Sequence, residues 1–146
     1  MNTGPGNNPT IYRLSDFFQE RLGRKVYRVT VDGGFTCPNR ADESAVPCAF
    51  CDERGSGARH IDACASIRDQ YEAGKRRIRD RFAADAFLPY FQSFTNTYAP
   101  TAVCLERYRQ VLDDDAVGIA IGTRPDCLAD DLLEALGQMA SDRLVI

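Results

Sequence analysis

The apolar residues of the chain follow two different spacings, which predicts a fold of alternating helices and strands. Helical spacing, with apolar residues three or four positions apart, covers residues 12–22, 60–82, 101–113 and 128–139. Shorter runs rich in apolar, aromatic and β-branched residues are typical of strands and cover residues 25–31, 87–94, 117–121 and 143–146. The third of these runs is short and apolar, as expected for a strand that is buried on both faces.

The order of these elements indicates a parallel sheet whose strands are joined by helical crossovers. Such a sheet either closes as a barrel or stays open as a doubly wound sheet. About three and a half βα units are present, whereas a closed eightfold barrel needs about 250 residues. We therefore expect an α/β fold that forms the N-terminal part of a TIM-like β/α barrel, truncated, with a missing C-terminal half or a partner completing it.

Several positions carry local predictions. Ser15 is a candidate N-cap for the first helix, and Gly23 is a candidate stop. Pro89 cannot donate a backbone hydrogen bond, so it should lie near the start of its strand or on a sheet edge. Gly74 weakens the long helix by about 1 kcal/mol relative to alanine. The acidic residues 113–115 oppose the dipole at a helix C-terminus, where the helix should fray.

Composition and charge narrow the class of protein. Of the 146 residues, 44% are hydrophobic and 27% are charged, which is typical of a soluble globular domain. The net charge of −3 provides no overall attraction to nucleic acid or to an anionic membrane. No apolar run approaches the ~20 residues of a membrane span, and residues 1–11 lack the apolar core of a signal peptide. We expect residues 1–11 to be a disordered leader, residues 12–146 to be one domain, and the protein to be cytoplasmic.

The six cysteines are distributed unevenly along the chain. Three lie close together in the segment after the first predicted strand, at Cys37, Cys48 and Cys51. The others are scattered over helical patterns and are expected to be small buried hydrophobic residues, at Cys64, Cys104 and Cys127. A disulfide framework is disfavoured, because the chain shows no export signal and exceeds the usual size of disulfide scaffolds.

The three clustered thiols have the spacing C-x10-C-x2-C and are candidate metal ligands, since each thiolate is a strong soft ligand. A structural zinc site normally has four ligands, and the fourth here would be His60 or Cys64. Three thiolates also suit an iron–sulfur cubane whose fourth iron stays open to a non-protein ligand. The residues alone leave both a zinc staple and a cluster open. If His60 is not a metal ligand, it is only the first residue of the long helix.

The segment around these cysteines resembles the cluster-binding motif of the radical S-adenosylmethionine (radical SAM) superfamily. Residues 32–40 read Asp-Gly-Gly-Phe-Thr-Cys-Pro-Asn-Arg, and residues 48–51 read Cys-Ala-Phe-Cys, with an aromatic residue directly before the last cysteine as in the superfamily. The long first spacing and residues 91–98 and 123–126 are similar to the YhcC-like bacterial branch, which is related to the Elongator catalytic subunit. The resemblance covers residues 12–146, which would form the N-terminal half of the radical SAM core domain.

The resemblance implies the ligands of a cluster. Cys37, Cys48 and Cys51 would each bind one iron of a 4Fe-4S cluster. The fourth iron would bind the amino and carboxylate groups of S-adenosyl-L-methionine (SAM). Phe50 would lie near the adenine of SAM, and in the alternative it is a plain core aromatic residue.

The resemblance also implies cofactor-binding residues at the ends of the second and third strands. Thr95 and Asn96 would contact the methionine amino group of SAM, in place of the superfamily's usual Gly-Gly-Glu. Arg124 would reach the cofactor or the substrate, and in the alternative it only pairs with Asp126 or caps a helix. All of these loops follow strands, which is where barrel active sites lie.

The activity that the resemblance implies is reductive cleavage of SAM to a 5′-deoxyadenosyl radical, which abstracts hydrogen from an unknown substrate. The expected partners are an electron donor (reductant) and that substrate, and no membrane partner is expected. RNA is one candidate substrate, because the basic run 75–81 could bind phosphates, although such a run is usually a solvated helix face. The rival hypotheses are a truncated cluster-binding fragment without turnover and a zinc-stapled structural module.

Overall fold

The predicted α/β class is confirmed by a computed structural model that describes residues 11–40, 46, 48–53, 55, 61, 62 and 64–146. Its helices and strands follow one another in the order α1 Leu14–Leu22, β1 Tyr27–Val31, α2 Ile67–Phe82, β2 Phe87–Phe91, α3 Thr101–Arg109, β3 Gly118–Ile121, α4 Asp130–Met139 and β4 Leu144–Val145. Short 3₁₀ turns occupy Pro38–Arg40 and Pro125–Cys127. Within these described residues, no helix combines the length and the apolar character needed to cross a bilayer.

Two sequence predictions concern residues that lie partly outside this described part of the chain. The leader was expected over residues 1–11, of which residues 1–10 lie outside the described part of the chain. The long helix was expected to begin at His60, which also lies outside it. Helix α2 instead begins at Ile67, because the Ser66 side chain accepts a hydrogen bond from the Asp69 backbone N–H at 3.1 Å and caps the helix there.

The four strands form one parallel sheet in the order β1-β2-β3-β4. Three crossover helices pack on the same face of this sheet, because Tyr71 of α2, Tyr108 of α3 and Leu132 of α4 join a single buried cluster with Val31 and Phe91. In a doubly wound sheet the crossover helices lie on both faces and the strand order reverses. The described sheet has no such reversal, and its strands follow their order in the chain.

The opposite face of the sheet carries a smaller core. Phe18 of α1 packs there against Leu88 of β2 and Ala120 of β3, all three of which are buried. The alternation of residues along β2 explains the two cores, since Phe87 and Phe91 face the crossover helices while Leu88 faces α1. The sheet is therefore covered on both faces in its central part.

Pro89 contradicts its prediction, because it is the middle residue of β2 and β2 lies between β1 and β3. The ladder between β2 and β3 is irregular at this point. Phe87 pairs with Ala116, but Tyr90 pairs with Ala120, so β3 has one more residue than β2 between the two pairs. This is the arrangement of a β-bulge, where the missing N–H of a proline is tolerated inside a sheet.

The ends of α1 confirm one predicted cap and correct the other. Gly23 ends the helix with a left-handed φ of +67°, as predicted. Ser15 is not the N-cap and lies inside the helix. The cap is Arg13, whose extended backbone precedes the first turn and whose Nε donates to Asp16 Oδ2 at 3.1 Å. The Asp16 carboxylate also accepts from the Arg13 backbone N–H at 3.4 Å, which is one half of a capping box.

The basic run on α2 is not uniformly solvated, because Lys75 is buried. Its ammonium contacts Asp113, lies 3.2 Å from Glu72 Oε1 and lies 3.5 Å from Asp115 Oδ2. Helix α3 ends at Arg109, so the acidic residues 113–115 do not form its C-terminus. They lie in the following loop, where Asp115 also accepts from Arg79 Nη2 at 2.8 Å. The acids therefore tie the α3–β3 loop to α2.

Substitution of Gly74 is expected to show that close packing against β1, and not helix propensity, decides how this position affects stability. A Cβ at Gly74 would lie 2.5 Å from Val29 Cγ1, so this glycine is needed where α2 meets β1. We expect Gly74→Ala to lower the free energy of unfolding by about 1–2 kcal/mol, because overpacking outweighs the helix gain. Gly137→Ala is the matched control: a Cβ there meets nothing within 4 Å, and α4 should gain about 0.5–1 kcal/mol. Urea denaturation of the two variants checks this, and equal effects of the same sign would contradict it.

Candidate functional site

Three loops meet at the carboxyl end of the sheet and enclose a cleft of about 390 Å³. They follow β1, β2 and β3, so the cleft lies where parallel sheets usually bind ligands. Its volume lies within the range of small-molecule sites. The lining residues are Cys37, Asn39, Arg40, Cys48, Phe50, Cys51, Gly55, Phe94, Thr95, Thr123 and Arg124.

Backbone hydrogen bonds hold the three loops together. The Thr95 N–H donates to Thr36 O at 3.1 Å and joins the β2 loop to the start of the cysteine loop. The Phe94 N–H donates to Gly55 O at 3.4 Å and joins the same loop to the far side of the cysteine loop. The Asn96 N–H donates to the carbonyl of residue 122 at 3.1 Å, which attaches the β3 loop. The β2 loop is thus the central support of the cleft.

The side chain of Asn96 reinforces this support from behind the cleft. Its Nδ2 donates to the carbonyls of Phe91 at 3.3 Å, Ser93 at 3.0 Å and Gly122 at 2.8 Å. Only 1% of Asn96 is exposed, and the residue does not line the cleft. The structure therefore gives Asn96 a position among backbone carbonyls, whereas Thr95, its predicted companion, lines the cleft directly.

The β2 loop has an unusual backbone next to the cleft. Ser93 has φ +92° and Phe94 has φ +59°, both in the left-handed region that side chains rarely adopt. Gly55 has φ +63° and faces the Phe94 ring, and a Cβ on this glycine would lie 2.6 Å from that ring. The glycine therefore permits the close approach of the cysteine loop to Phe94, and sites that hold such backbone are often functional.

The three clustered cysteines line the same cleft, and N–H groups reach two of their sulfurs. Asn39 Nδ2 donates to Cys48 Sγ at 3.1 Å. Arg124 Nη1 lies 3.9 Å from Cys37 Sγ and donates to Asn39 Oδ1 at 2.8 Å. Asn39 belongs to the sequence motif, but no role was predicted for it, because its contact with Arg124 spans 85 positions of the chain.

The surroundings of Cys37 favour its thiolate form. Burial raises the pKa of this thiol, but hydrogen bonds from the Thr95 side chain, the Asn39 backbone and the Arg124 guanidinium lower it more, so the net pKa lies below the ordinary value. A thiolate is the form of cysteine that binds metals. The electrostatics at Cys37 are therefore compatible with a metal ligand.

The predicted pairing of Arg124 with Asp126 is present, but it is not the only contact of Arg124. Arg124 Nε and Nη2 donate to the two carboxylate oxygens of Asp126 at 2.9 and 2.7 Å. These bonds, and then the contact with Cys37, raise the pKa of Arg124. The remaining Nη1 faces the cleft, so the carboxylate orients the cation toward the cysteine loop.

A 4Fe-4S cluster agrees with this donor set. Three thiols surround one cleft, and N–H donors face two of the sulfurs, as is common around iron–sulfur clusters. In the described part of the chain, no three potential ligands lie close enough to share a single metal ion. A cluster does not require the three thiolates to share one metal ion, since each thiolate would bind a different iron. Phe50, the predicted adenine neighbour, is 83% exposed at the cleft and is therefore not a core residue.

The other three cysteines differ from one another. Cys104 is fully buried and confirms its prediction as a small core residue. Cys64 contradicts the prediction, because it lies in an exposed turn before α2 begins. Cys127 is half-buried in the 3₁₀ turn after Arg124, and burial together with Asp126 raises its pKa. Helical spacing misassigned Cys64 because it extended the long helix beyond its true start.

Comparison with known proteins finds relatives of much greater length. No protein-family model matches the chain, and no solved structure matches it. The chain is 39% identical over 143 residues to the uncharacterized protein YtqA of Bacillus subtilis, which covers 91% of this chain and 44% of YtqA. It is 37% identical over 118 residues to the protein YhcC of Escherichia coli, which covers 80% of this chain and 37% of YhcC. The chain thus spans less than half the length of these relatives.

Proposed function

We propose that this chain holds a 4Fe-4S cluster and SAM and is the cluster-binding part of a radical SAM enzyme. The observation that carries the proposal is the cleft itself, where three thiols meet at the carboxyl end of consecutive parallel strands with N–H donors beside two of the sulfurs. The resemblance of the cysteine loop to the superfamily motif supports the same assignment. The activity belongs to the whole protein, which in the relatives is more than twice as long.

We further propose that the sheet is part of a TIM-like β/α barrel. Two features support this: the strands follow their order in the chain, and all three crossover helices pack on one face. A barrel has both features, because its crossover helices form a single outer ring. A missing C-terminal half or a partner would supply the remaining strands.

The residues of the cleft have separate roles in this proposal. Cys37, Cys48 and Cys51 each bind one iron and leave the fourth iron to SAM. When bound, such a cluster would supply the chemistry of reductive SAM cleavage, which leads to hydrogen abstraction from a substrate. Phe50 offers an exposed ring for the adenine. Thr95 orients the Cys37 sulfur and borders the space for the methionine group of SAM.

The electron donor and the substrate are the proposed partners. Arg124 lies at the cleft and is available to a substrate only through the face not occupied by Asp126. RNA remains a candidate substrate class, but the basic run offers less charge for it than expected. Lys75 and Arg79 are committed to acids, which leaves Arg76, Arg77 and Arg81 exposed. Any phosphate contact by the basic run 75–81 would therefore use these three.

Formation of 5′-deoxyadenosine tests the proposed function. The protein is purified without oxygen, reconstituted with iron and sulfide, and incubated with dithionite and SAM. We expect 5′-deoxyadenosine by liquid chromatography and mass spectrometry, and none when SAM or dithionite is omitted. A reconstituted cluster that never yields 5′-deoxyadenosine would show that this chain alone does not cleave SAM and would leave the cluster-binding fragment. A protein that takes up only zinc would contradict both the enzyme and the fragment and favour a structural module.

A further inference from the structure

Arg124 and Asn39 together connect the loop after β3 to two of the three clustered sulfurs. Asp126 holds the Arg124 guanidinium with hydrogen bonds of 2.9 and 2.7 Å, which leaves Nη1 directed at the cysteine loop. That nitrogen donates to Asn39 Oδ1 at 2.8 Å and lies 3.9 Å from Cys37 Sγ. Arg124 therefore contacts one sulfur itself and reaches the neighbourhood of a second through Asn39.

The guanidinium also fixes which way the Asn39 amide points. An amide has an accepting oxygen at one end and a donating nitrogen at the other. With Oδ1 facing the Arg124 cation, Nδ2 faces Cys48 Sγ and donates to it at 3.1 Å. The reverse orientation would direct an NH₂ group at the cation and leave the sulfur without a donor. The amide orientation thus follows from the charge of Arg124.

We propose that Asn39 and Arg124 are positioning residues that raise the reduction potential of the bound cluster, an inference that rests on the proposed function. Reduction adds one electron to the cluster, and part of the added charge lies on its thiolate sulfurs. N–H groups directed at Cys48 and Cys37 stabilise that charge and therefore favour the reduced state. Asn39 donates to Cys48, and Arg124 both orients Asn39 and places a positive charge beside Cys37.

A purely structural role for the pair makes a different prediction. If Asn39 and Arg124 only pinned the Pro38–Arg40 turn, their loss would lower the amount of cluster bound and leave the potential of the remaining cluster unchanged. The reduction potential therefore distinguishes the two roles, whereas enzyme activity would not. Variants that keep the size of Asn39 but remove its N–H are the most informative.

Asn39→Asp and Asn39→Leu test the inference. Both lack the donor to Cys48; the carboxylate still accepts from Arg124, and the leucine adds no charge. We expect the ratio of reduced to oxidised cluster at the wild-type midpoint to fall about tenfold in both, which is ~59 mV for a one-electron couple. The readout is a redox titration followed by electron paramagnetic resonance, normalised to iron content. Gln138→Glu and Gln138→Leu make the same changes on the exposed surface of α4 and should leave the potential unchanged.

Each outcome of this titration decides one question. A wild-type protein that binds no cluster would overturn the proposed function and this inference together. A wild-type cluster with unchanged potential in both Asn39 variants, or a shift in the aspartate variant alone, would overturn only the inference. If neither Asn39 variant retains a cluster, Arg124→Gln decides, with exposed Arg109→Gln as its control. A lower potential in Arg124→Gln supports the inference, and an unchanged one contradicts it.

Discussion

Replacing Cys48 with alanine is expected to abolish cluster binding. Cys48 lines the cleft, receives the Asn39 N–H and is one of three thiols available to the cluster from the described cysteine loop. Two remaining thiolates leave two irons without protein ligands, so the variant should lose nearly all of the reconstituted iron. The measurement is iron per chain together with the broad visible absorption of an iron–sulfur cluster. Folding of the variant is checked by its denaturation midpoint, since Cys48 belongs to neither core.

Other cysteines of the same chain supply the controls. Cys64 is exposed in a turn, so Cys64→Ala should change neither colour nor stability. Cys104 is buried and its Sγ lies 3.5 Å from Ala99 O, so Cys104→Ala should lower stability by roughly 1 kcal/mol and keep the colour. If Cys104→Ala bleaches the protein while Cys48→Ala keeps its iron, the ligand assignment is wrong.

Replacing Lys75 with methionine is expected to give a large loss of stability. Lys75 is only 4% exposed, and its ammonium is surrounded by Glu72, Asp113 and Asp115. Methionine would fill a similar volume but leave these acids without their shared cation. Because removing one partner of a buried ion pair leaves an uncompensated charge, we expect the free energy of unfolding to fall by about 3 kcal/mol. Urea denaturation at neutral pH measures this loss.

A neighbouring arginine and a second substitution make this test specific. Arg76→Met changes the next residue on the exposed side of α2 and should alter stability by less than about 0.5 kcal/mol. Adding Asp113→Asn to Lys75→Met removes one orphaned charge and should recover part of the loss. Equal losses in Lys75→Met and Arg76→Met would contradict the assignment of Lys75 as the buried centre of the ion-pair group.

The stability that Lys75 confers should decrease at acidic pH. Hydrogen bonding to Arg79 in the first place, and the charge of Lys75 as well, lower the pKa of Asp115. A carboxyl with a lowered pKa contributes stability above its unfolded value of about 4 and loses that contribution as the pH falls further. Burial alone would lower the pKa of Lys75, but Asp113 and Glu72 raise it overall, so its contribution is lost only at strongly alkaline pH. The difference between wild type and Lys75→Met should therefore narrow below about pH 4.

The helices and strands could be predicted because their signal lies in neighbouring residues. The spacing of Phe17, Phe18 and Leu22 indicates a helix, and the run from Val29 to Val31 indicates a strand, without knowledge of any partner. The start of α2 was misplaced because Ile61 and Cys64 continue the helical spacing although the chain turns helical only after Ser66. A local cap thus overrides an apolar pattern.

Features that depend on distant partners could not be predicted in the same way. Pro89 is tolerated in the centre of the sheet because β3 contributes an extra residue opposite it, which no local pattern reveals. Lys75 lies in a basic run, yet its partners Asp113, 38 positions away, and Asp115 come from the loop after α3. The cysteines were recognisable as candidate ligands from their spacing, whereas the contact of Arg124 with Asn39 required the fold.

The metal content of the anaerobically reconstituted wild-type protein tests the central claim most directly. Iron, acid-labile sulfide and zinc are measured per chain after removal of unbound metal. The account predicts about four irons and about four sulfides per chain, with little zinc. A colourless protein that retains about one zinc per chain and no sulfide would contradict it.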